Sequence, residues 1–393
     1  MRKPISRTAF CEGDSSLTFT LNEIANKRRQ EGASVINVTV GSLYSDKGEL
    51  VSFSKINELI ADNLGQKSNS YAPIDGGEIY KRNVIAWVFG DYKDSLMEKY
   101  FCGACVTPGG TGALYLAFRN YSDENPILLP DIGWNNYKVM CGQLNKKYEA
   151  YSMFDNGVFD LECVLDLSKK SIETYGSCTL VINDPCQNPT GYTLSDDEWK
   201  KMIESLNELN NLGPVNLILD VAYMDLADEP RRFFKHIALN KVQFNTLVCF
   251  SASKLLGIYG ARLGALICIN TEKENVEEFS KSSKTTARAV WSNCNHLLVN
   301  AFNDLCSKED MIPLLFSELE TSKKLLKDRY IEARKLFDGL FECEPLPYKE
   351  GFFITYPKEG ASEFSKELIK KDIFVLPLEG KYIRIGICSF YKN

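Results

Sequence analysis

A lysine that follows a short apolar run is the residue of this chain most suited to covalent chemistry. Lys254 comes directly after TLVCFSAS (246–253), behind small serine and alanine residues. Such a run is typical of a buried strand, so the amine just past its end can be partly desolvated. Desolvation lowers the pKa of a lysine, and a neutral amine can attack a carbonyl group to form a Schiff base. Arg262 follows on the same loop and offers a forked donor for a phosphate, with Ser251 as a further donor.

A glycine-rich loop provides a second candidate phosphate site. In VTPGGTGALYLAF (106–118), residues 109–112 open an apolar helical run. Glycines allow close approach of the backbone, and a helix N-terminus presents free N–H groups to an anion. A helix cap without a ligand is the alternative. The loop is neither a Walker loop, because no Gly-Lys-Ser/Thr follows, nor a good dinucleotide motif, because Tyr115 replaces the last glycine.

Polar residues also end two other apolar runs. Asp220 ends VNLILD (215–220), and Tyr223 lies three residues on. A buried carboxylate needs a cationic partner, which a protonated pyridine nitrogen would provide, although a structural Asp that caps a turn is the alternative. Asn188 precedes Pro189 in NDPCQNPTGY (183–192). It marks either an ordinary turn or a donor to a cofactor hydroxyl.

Two other motifs suggest chemistry that the rest of the chain does not support. Ser251-Ala-Ser-Lys254 matches the S-x-x-K of penicillin-binding enzymes, but the S-D-N and K-T-G partners are missing. Cys102 and Cys105 form a C-x-x-C without a second pair or a nearby histidine, so we interpret them as structural. The two histidines of the chain have no ligand or triad partner at recognisable spacing. We therefore predict no metal site.

The elements that position these residues follow from apolar patterning. Amphipathic helical stretches such as residues 194–210, with Ser195 as N-cap, alternate with short apolar runs, which predicts βαβ units and a sheet covered on both faces. A long helix over 315–340 and two short strands then predict a C-terminal α+β lobe. The predicted buried parallel strands are 126–131, 179–184, 215–220, 246–253 and 264–270.

Ligands of open parallel sheets bind at the carboxyl ends of the strands. The side chains expected there combine an anion site, an amine, a carboxylate and a flat aromatic ring, which is the set that a phosphorylated aromatic aldehyde would require. They are Trp134, Asn188, Asp220, Tyr223, Ser251, Lys254 and Arg262.

Composition narrows the class of protein. The 393 residues suffice for a large α/β domain and a smaller lobe, and the net charge of −6 argues against nucleic acid as a partner. The N-terminus lacks the apolar core of a signal peptide, and no run is long enough to span a membrane. Thirteen cysteines scattered through apolar stretches suit a reducing compartment, so we expect a cytoplasmic protein without disulfides.

Nine segments in consistent order resemble the class I aminotransferases of pyridoxal 5′-phosphate (PLP) fold type I, above all the aspartate/aromatic group. The resemblance runs from about Val38 to Ser389. It implies an α/β fold with a mainly parallel sheet between helices and a smaller α+β domain. The large domain would cover 46–312, and the small domain 1–45 with 313–393. The segments are VTVGSLY, SYAPIDG, GGTGAL, WNNY, NPTGY, DVAY, SASK with Arg262, RAVWSN and YIRIG.

The resemblance also implies roles for individual residues. Lys254 would form the Schiff base, Asp220 would pair with the pyridine nitrogen, and Tyr223 and Asn188 would contact the ring hydroxyl oxygen. Trp134 would stack on the ring, and Tyr71 would contact the phosphate of the neighbouring subunit's cofactor. The residues that would bind the phosphate are Gly110, Thr111, Gly112, Ser251 and Arg262. The residues that would bind the substrate are Arg384, Gly41 and Asn188.

The chain departs from the family pattern at three places. Gly109 stands where a serine is frequent, which removes a hydroxyl donor, and Ile132 competes with Trp134 for the place against the ring. No arginine occurs in 294–303, where we expect the residue that binds a distal substrate carboxylate. Arg288 precedes the WSN motif and is not assigned that task. The pattern therefore favours neutral or aromatic amino donors.

The predicted activity is transfer of an amino group from an amino acid to a 2-oxo acid, by a homodimer with shared active sites. Two alternatives stay open at this point. The same fold and lysine also serve C–S lyases and decarboxylases. A non-catalytic PLP-binding regulator is the alternative from another class, although no basic DNA-binding module precedes the matching region.

Overall fold

The computed structural model describes residues 17–391. Its strands are β1 (Ile36–Asn37), β2 (Phe101–Thr107), β3 (Ile127–Pro130), β4 (Tyr148–Tyr151), β5 (Phe154–Asp155), β6 (Val158–Phe159), β7 (Cys178–Asn183), β8 (Val215–Asp220), β9 (Asn245–Ser251), β10 (Gly264–Asn270), β11 (Phe353–Pro357), β12 (Ile373–Phe374), β13 (Leu376–Leu378) and β14 (Tyr382–Gly386).

Fifteen α-helices accompany them within the same residues. They are α1 (Leu17–Gln30), α2 (Ile56–Asp62), α3 (Gln66–Asn69), α4 (Gly77–Phe89), α5 (Lys93–Lys99), α6 (Gly109–Asn120), α7 (Asn136–Gln143), α8 (Leu161–Tyr175), α9 (Asp196–Asn210), α10 (Arg232–Leu239), α11 (Ala252–Leu255), α12 (Lys273–Val290), α13 (His296–Ser307), α14 (Met311–Phe341) and α15 (Ala361–Ile369).

A seven-stranded sheet with the order β2-β10-β9-β8-β7-β3-β4 forms the centre of the fold. Strands β4, β3, β7, β8 and β9 run parallel to one another. Strands β7, β8 and β9 of this parallel set are almost wholly buried, because helices cover both faces. Their carboxyl ends therefore lie along one edge, where β7 ends at Asn183 opposite Asp220, the last residue of β8.

The prediction of a parallel strand over 264–270 is wrong in direction. Strand β10 runs antiparallel to both β9 and β2, with Gly264 opposite Ser251. The chain between β9 and β10 contains only the one-turn helix α11, which is too short for the crossover that a parallel pair requires. Composition could not show this, because a strand buried on both faces is apolar in either direction.

Strand β2 was not among the predicted strands, and it carries the C-x-x-C. Cys102 and Cys105 are an odd number of residues apart on this strand, so their side chains point to opposite faces. Every cysteine within residues 17–391 is free. The interpretation of this motif as structural agrees with that geometry.

The predicted helices are present, with small differences at their ends. Ser195 caps α9, where its hydroxyl accepts a hydrogen bond from Glu198 N and the Glu198 carboxylate accepts one from Ser195 N at 2.7 Å. This reciprocal arrangement satisfies two backbone donors at the start of the helix. The helix predicted over 315–340 extends over Met311–Phe341.

The C-terminal lobe contains the antiparallel sheet β11-β14-β13 and helix α15. Strand β1, from the beginning of the chain, pairs with β12 near its end. Helix α14 crosses the predicted boundary between residues 312 and 313, and the division into two domains stays a prediction.

The interpretation of the N-terminus as lacking a signal peptide concerns residues 1–16, which lie outside the described residues. None of the helices within 17–391 has the length and apolar character that a membrane span requires.

Candidate active site

Lys254 lies on α11, directly beyond the carboxyl end of β9, and is surrounded by aromatic rings. Its Nζ donates a hydrogen bond to the carbonyl oxygen of Gly41 at 3.0 Å. The same atom lies 4.5 Å from the ring centroid of Tyr259 and 5.5 Å from that of Tyr223. Burial lowers the pKa of Lys254 to about 8. The structure therefore contains a lysine that is partly neutral near physiological pH, as carbonyl chemistry requires.

Asp220, the last residue of β8, is 4% exposed and has a donor at each carboxylate oxygen. Tyr137 Oη donates to Oδ2 at 2.6 Å, and Ala222 N donates to Oδ1 at 3.1 Å. Burial nevertheless raises the pKa of Asp220 to about 6. A cation placed against this carboxylate would favour its charged form, so the site is suited to a protonated ring nitrogen.

The glycine-rich loop and Arg262 form one cradle at the N-terminus of α6. A Cβ on Gly109 would collide with Arg262 Nη2, and a Cβ on Gly110 would lie 3.3 Å from Ser251 Cβ. Gly109 also has a φ of +72°, which disfavours other residues. Glycine is therefore required at position 109, where a serine is frequent in the family pattern. Free N–H groups of the helix and the guanidinium face a common space that suits a phosphate.

Arg384, on β14, meets Asn188 at the other side of the lysine. Its Nη1 donates to Asn188 Oδ1 at 3.2 Å and its Nη2 to the carbonyl of Thr39 at 2.7 Å, while the guanidinium carbon lies 4.2 Å from the ring centroid of Phe353. Its Nε has no hydrogen-bond partner among the described residues. Phe353 also contacts Gly41, whose carbonyl accepts the hydrogen bond from Lys254. The Arg384 guanidinium and the Lys254 amine therefore border the same region.

Residues 38–44 connect the two sides of this region. Towards the C-terminal lobe, the carbonyl of Val38 accepts a hydrogen bond from Gly386 N at 2.7 Å. The carbonyl of Thr39 accepts the hydrogen bond from Arg384 described above. Towards the sheet, Leu43 N donates to Tyr259 Oη at 2.9 Å. This segment, which also carries the acceptor of Lys254, therefore contacts both the C-terminal lobe and the loop of the reactive lysine.

Trp134 and Ile132, the two candidates for the place against the cofactor ring, have different surroundings. Trp134 lies edge-on to the ring of Tyr137, with 5.5 Å between the centroids, and Tyr137 is the residue that binds Asp220. Ile132 is buried, and its carbonyl accepts a hydrogen bond from Gln187 Nε2 at 2.7 Å. The assignment of either residue to the ring stays a prediction.

Tyr71 lies apart from the residues above and is 87% exposed. The backbone on either side of it is fixed, because Asn293 Oδ1 accepts from Ala72 N at 3.0 Å and His296 Nδ1 lies 2.9 Å from the carbonyl of Ser70. Thr111 and Gly112, in the first turn of α6, complete the predicted set. All other predicted residues lie around Lys254, Asp220 and the helix N-terminus.

Tyr137 and Tyr259 were not predicted as site residues, yet they contact the two ionisable groups or their supports. Tyr137 is one helical turn beyond Trp134 in WNNY, and Tyr259 lies in the loop between Lys254 and Arg262. A tyrosine at helical spacing from a candidate ring-stacking residue was the only signal for the first. No sequence signal marked Tyr259, because its contact with Leu43 joins distant parts of the chain.

Comparisons with known proteins identify the family and the fold of the chain. A model of the family "Aminotransferase class I and II" matches residues 33–390. The mitochondrial aspartate aminotransferase of Schizosaccharomyces pombe is 24% identical over 279 residues, which are 67% of this chain and 62% of that protein. A solved aminotransferase from Anaerococcus prevotii is 30% identical, with a TM-score of 0.90 over 99% of this chain and 96% of that one.

An aromatic-amino-acid aminotransferase from Burkholderia pseudomallei, solved covalently bound to pyridoxal phosphate, shows the same fold at 20% identity. Its TM-score is 0.82 over 99% of this chain and 96% of that chain. The predicted fold class, an α/β fold with a mainly parallel sheet between helices, is confirmed. The site fits that cofactor in three respects: a partly neutral lysine, a buried carboxylate for the ring nitrogen, and an anion cradle that Cβ atoms would fill.

Lys254→Met should stabilise the protein without cofactor at pH 7. The pKa of this lysine is about 8 in the folded protein against 10.5 for an ordinary lysine, so the unfolded chain binds its proton more tightly. Burial of the charged amine therefore lowers the free energy of unfolding. This destabilisation is fully present below pH 8 and disappears as pH rises to 10.5. We expect the free energy of unfolding in urea to rise by roughly 1–3 kcal/mol at pH 7, and by less at pH 10.

Lys170→Met is the matched control, because Lys170 is exposed beside Glu149. It should change stability little at either pH. A Lys254→Met variant that is less stable than the natural protein at pH 7 would contradict the assignment of a desolvated amine.

Proposed function

The chain belongs to the class I and II aminotransferases, and on that premise we propose that it transfers the amino group of an amino acid to a 2-oxo acid. The cofactor of this family is pyridoxal 5′-phosphate. One observation supports the proposal most strongly: a lysine with a pKa of about 8 lies between a buried carboxylate and an anion cradle.

When bound, the cofactor supplies an aldehyde that reacts with amines and a ring that takes up an electron pair from the substrate Cα. Lys254 would hold the cofactor through its amine, and the same amine would accept a proton from the substrate Cα and return it. Its lowered pKa suits both tasks near neutral pH. Asp220 would hold the proton on the ring nitrogen.

The other side chains would bind and orient. The helix N-terminus with Ser251 and Arg262 would hold the phosphate, and Trp134 would lie against the ring. Arg384 would bind the substrate carboxylate through a forked, charge-assisted contact, since it is already oriented by Asn188 and Thr39. We assign the following residues to the same site: Gly110, Thr111 and Gly112 to the phosphate, Tyr223 and Asn188 to the ring hydroxyl, and Gly41 and Asn188 to the substrate.

The first candidate for the donor is a neutral or aromatic amino acid, because residues 294–303 contain no arginine. A second candidate, an acidic donor, is favoured by Arg288. This arginine is exposed at the end of α12, donates to Ser292 Oγ at 2.7 Å, and forms no salt bridge with the described residues. Asn293 on the same loop fixes the backbone beside Tyr71. A surface that reaches a second subunit through Tyr71 would therefore also bring Arg288 there.

We infer that the protein acts as a homodimer with shared active sites. An 87% exposed tyrosine with a fixed backbone is suited to burial against another chain, and its hydroxyl could then donate to the partner's cofactor phosphate. The free cysteines support a reducing compartment such as the cytoplasm.

Mixing the PLP-loaded protein with amino acids should convert the cofactor to pyridoxamine 5′-phosphate, visible as a change in absorbance, with release of a 2-oxo acid. Lys254→Ala should abolish the conversion and the incorporation of cofactor by borohydride, whereas Lys170→Ala should retain both. A C–S lyase or decarboxylase would leave the cofactor in the aldehyde form, and a non-catalytic binder would release no 2-oxo acid. Reduction of the cofactor onto another lysine would exclude the role of Lys254.

The donor can be decided by comparing kcat/KM for aspartate with that for phenylalanine, leucine, methionine and alanine, before and after Arg288→Gln. If the enzyme prefers neutral donors, kcat/KM for aspartate should not exceed that for every neutral donor by tenfold, and Arg288→Gln should change kcat/KM little. An acidic preference predicts an aspartate-specific loss of roughly a hundredfold or more, as for a charge-assisted contact. Arg119→Gln, at another exposed arginine, is the matched control.

Sharing of the site can be tested by mixing two inactive variants. In a hybrid of Lys254→Ala and Tyr71→Ala chains, one site has both residues intact if Tyr71 acts across the interface. Unfolding and refolding the two variants together should therefore restore activity and cofactor retention. Mixtures no more active than the separate variants, or an active monomer by light scattering, would refute the shared site.

A further inference from the structure

We propose that Tyr137 is a positioning residue that keeps Asp220 ionised and fixes its orientation towards the cofactor ring. The inference rests on the proposed function, because it concerns the carboxylate assigned to the ring nitrogen. Tyr137 lies three residues beyond Trp134 in the chain, and its proposed effect is exerted through Asp220.

The contact between the two side chains is short and shielded from water. Tyr137 Oη lies 2.6 Å from Asp220 Oδ2, and the two residues are 1% and 4% exposed. Such a distance is typical of a hydroxyl that donates to a charged oxygen. Because Ala222 N occupies Oδ1, each oxygen has one donor and the plane of the carboxylate is fixed.

The ring of Tyr137 has packing contacts of its own, in addition to the hydrogen bond of its hydroxyl. Tyr137 lies in the first turn of α7, edge-on to Trp134, with the ring of Phe118 at 6.3 Å on a neighbouring helix. A phenylalanine would keep these contacts. The effect of the hydroxyl can therefore be separated from the effect of the ring.

The hydroxyl opposes the electrostatic cost of burying Asp220. Burial raises the pKa of this carboxyl, and the hydrogen bond from Tyr137 is the strongest influence in the other direction, ahead of Ala222 N and the charge of Lys254. The other titratable groups that face it are Cys249 and Tyr223. Burial beside Asp220 also raises the pKa of Tyr137 far above 10, so Tyr137 remains the donor.

The direction of the pH effect follows from these shifts. A carboxyl whose folded pKa is raised destabilises the folded protein above that pKa, and the penalty disappears on acidification as the group takes up its proton. Without the Tyr137 hydroxyl the pKa of Asp220 should rise further. The stability lost by Tyr137→Phe should therefore be larger at pH 8 than at pH 5.

The test compares Tyr137→Phe with Tyr151→Phe. Tyr151 is equally buried, and its hydroxyl donates to the carbonyl of Val181 at 2.9 Å and not to Asp220. Urea unfolding of the cofactor-free proteins between pH 5 and pH 8 is the first readout. We expect a loss that grows with pH for Tyr137→Phe and a constant loss for Tyr151→Phe.

The affinity for added PLP, measured by dialysis across the same pH range, is the second readout. Tyr137→Phe should weaken binding about tenfold at neutral pH, as expected for one hydrogen bond to a charged group, and the fall in affinity on acidification should begin at higher pH. Identical pH dependences for the two variants would overturn the proposal. If the natural protein bound no PLP, the proposed function would fail, while the unfolding comparison would still test Tyr137.

A third variant covers the case in which Tyr137→Phe does not fold. Asp220→Asn removes the charge that the hydroxyl supports, so the double variant Asp220→Asn/Tyr137→Phe should fold where the single one does not. If the double variant also fails to fold, the role of Tyr137 is structural and the proposal is wrong.

Discussion

The central constraint in this protein is the burial of two opposite charges, Lys254 and Asp220, at the same edge of a parallel sheet. Burial moves both groups towards neutrality, the lysine to a pKa of about 8 and the carboxyl to about 6. Each is left with little solvent, so each must find its partners within the protein. The carbonyl of Gly41, the hydroxyl of Tyr137 and the backbone of Ala222 meet that requirement.

This constraint explains why the surrounding elements have their particular geometry. Strands β8 and β9 are parallel neighbours, and their ends bring Asp220 and the lysine helix to the same edge. The antiparallel return of β10 places Gly264 beside Gly109, so the short loop after the lysine leads Arg262 back to the phosphate cradle. The direction of one strand thus brings the loop that follows Lys254 to the glycine-rich N-terminus of α6.

Much of this arrangement could be predicted from the sequence, because it is local. Lys254 and Asp220 each follow an apolar run, and Ser195 caps a helix whose pattern is plain. The direction of β10 could not be predicted, since pairing depends on connection length and not on composition. The contact of Tyr137 with Asp220 joins residues 83 positions apart, and no local pattern marks such a contact.

The segment 38–44 carries a consequence for biosynthesis. It precedes the central sheet in the chain, yet its partners Arg384 and Gly386 follow that sheet and are translated after it. Strands β1 and β12 pair across the same distance. A ribosome-bound chain can assemble the central sheet earlier, but the acceptor for Lys254 has no fixed place until the C-terminal lobe emerges. The contacts that hold segment 38–44 in the nascent chain are therefore incomplete until strand β14 has been synthesised.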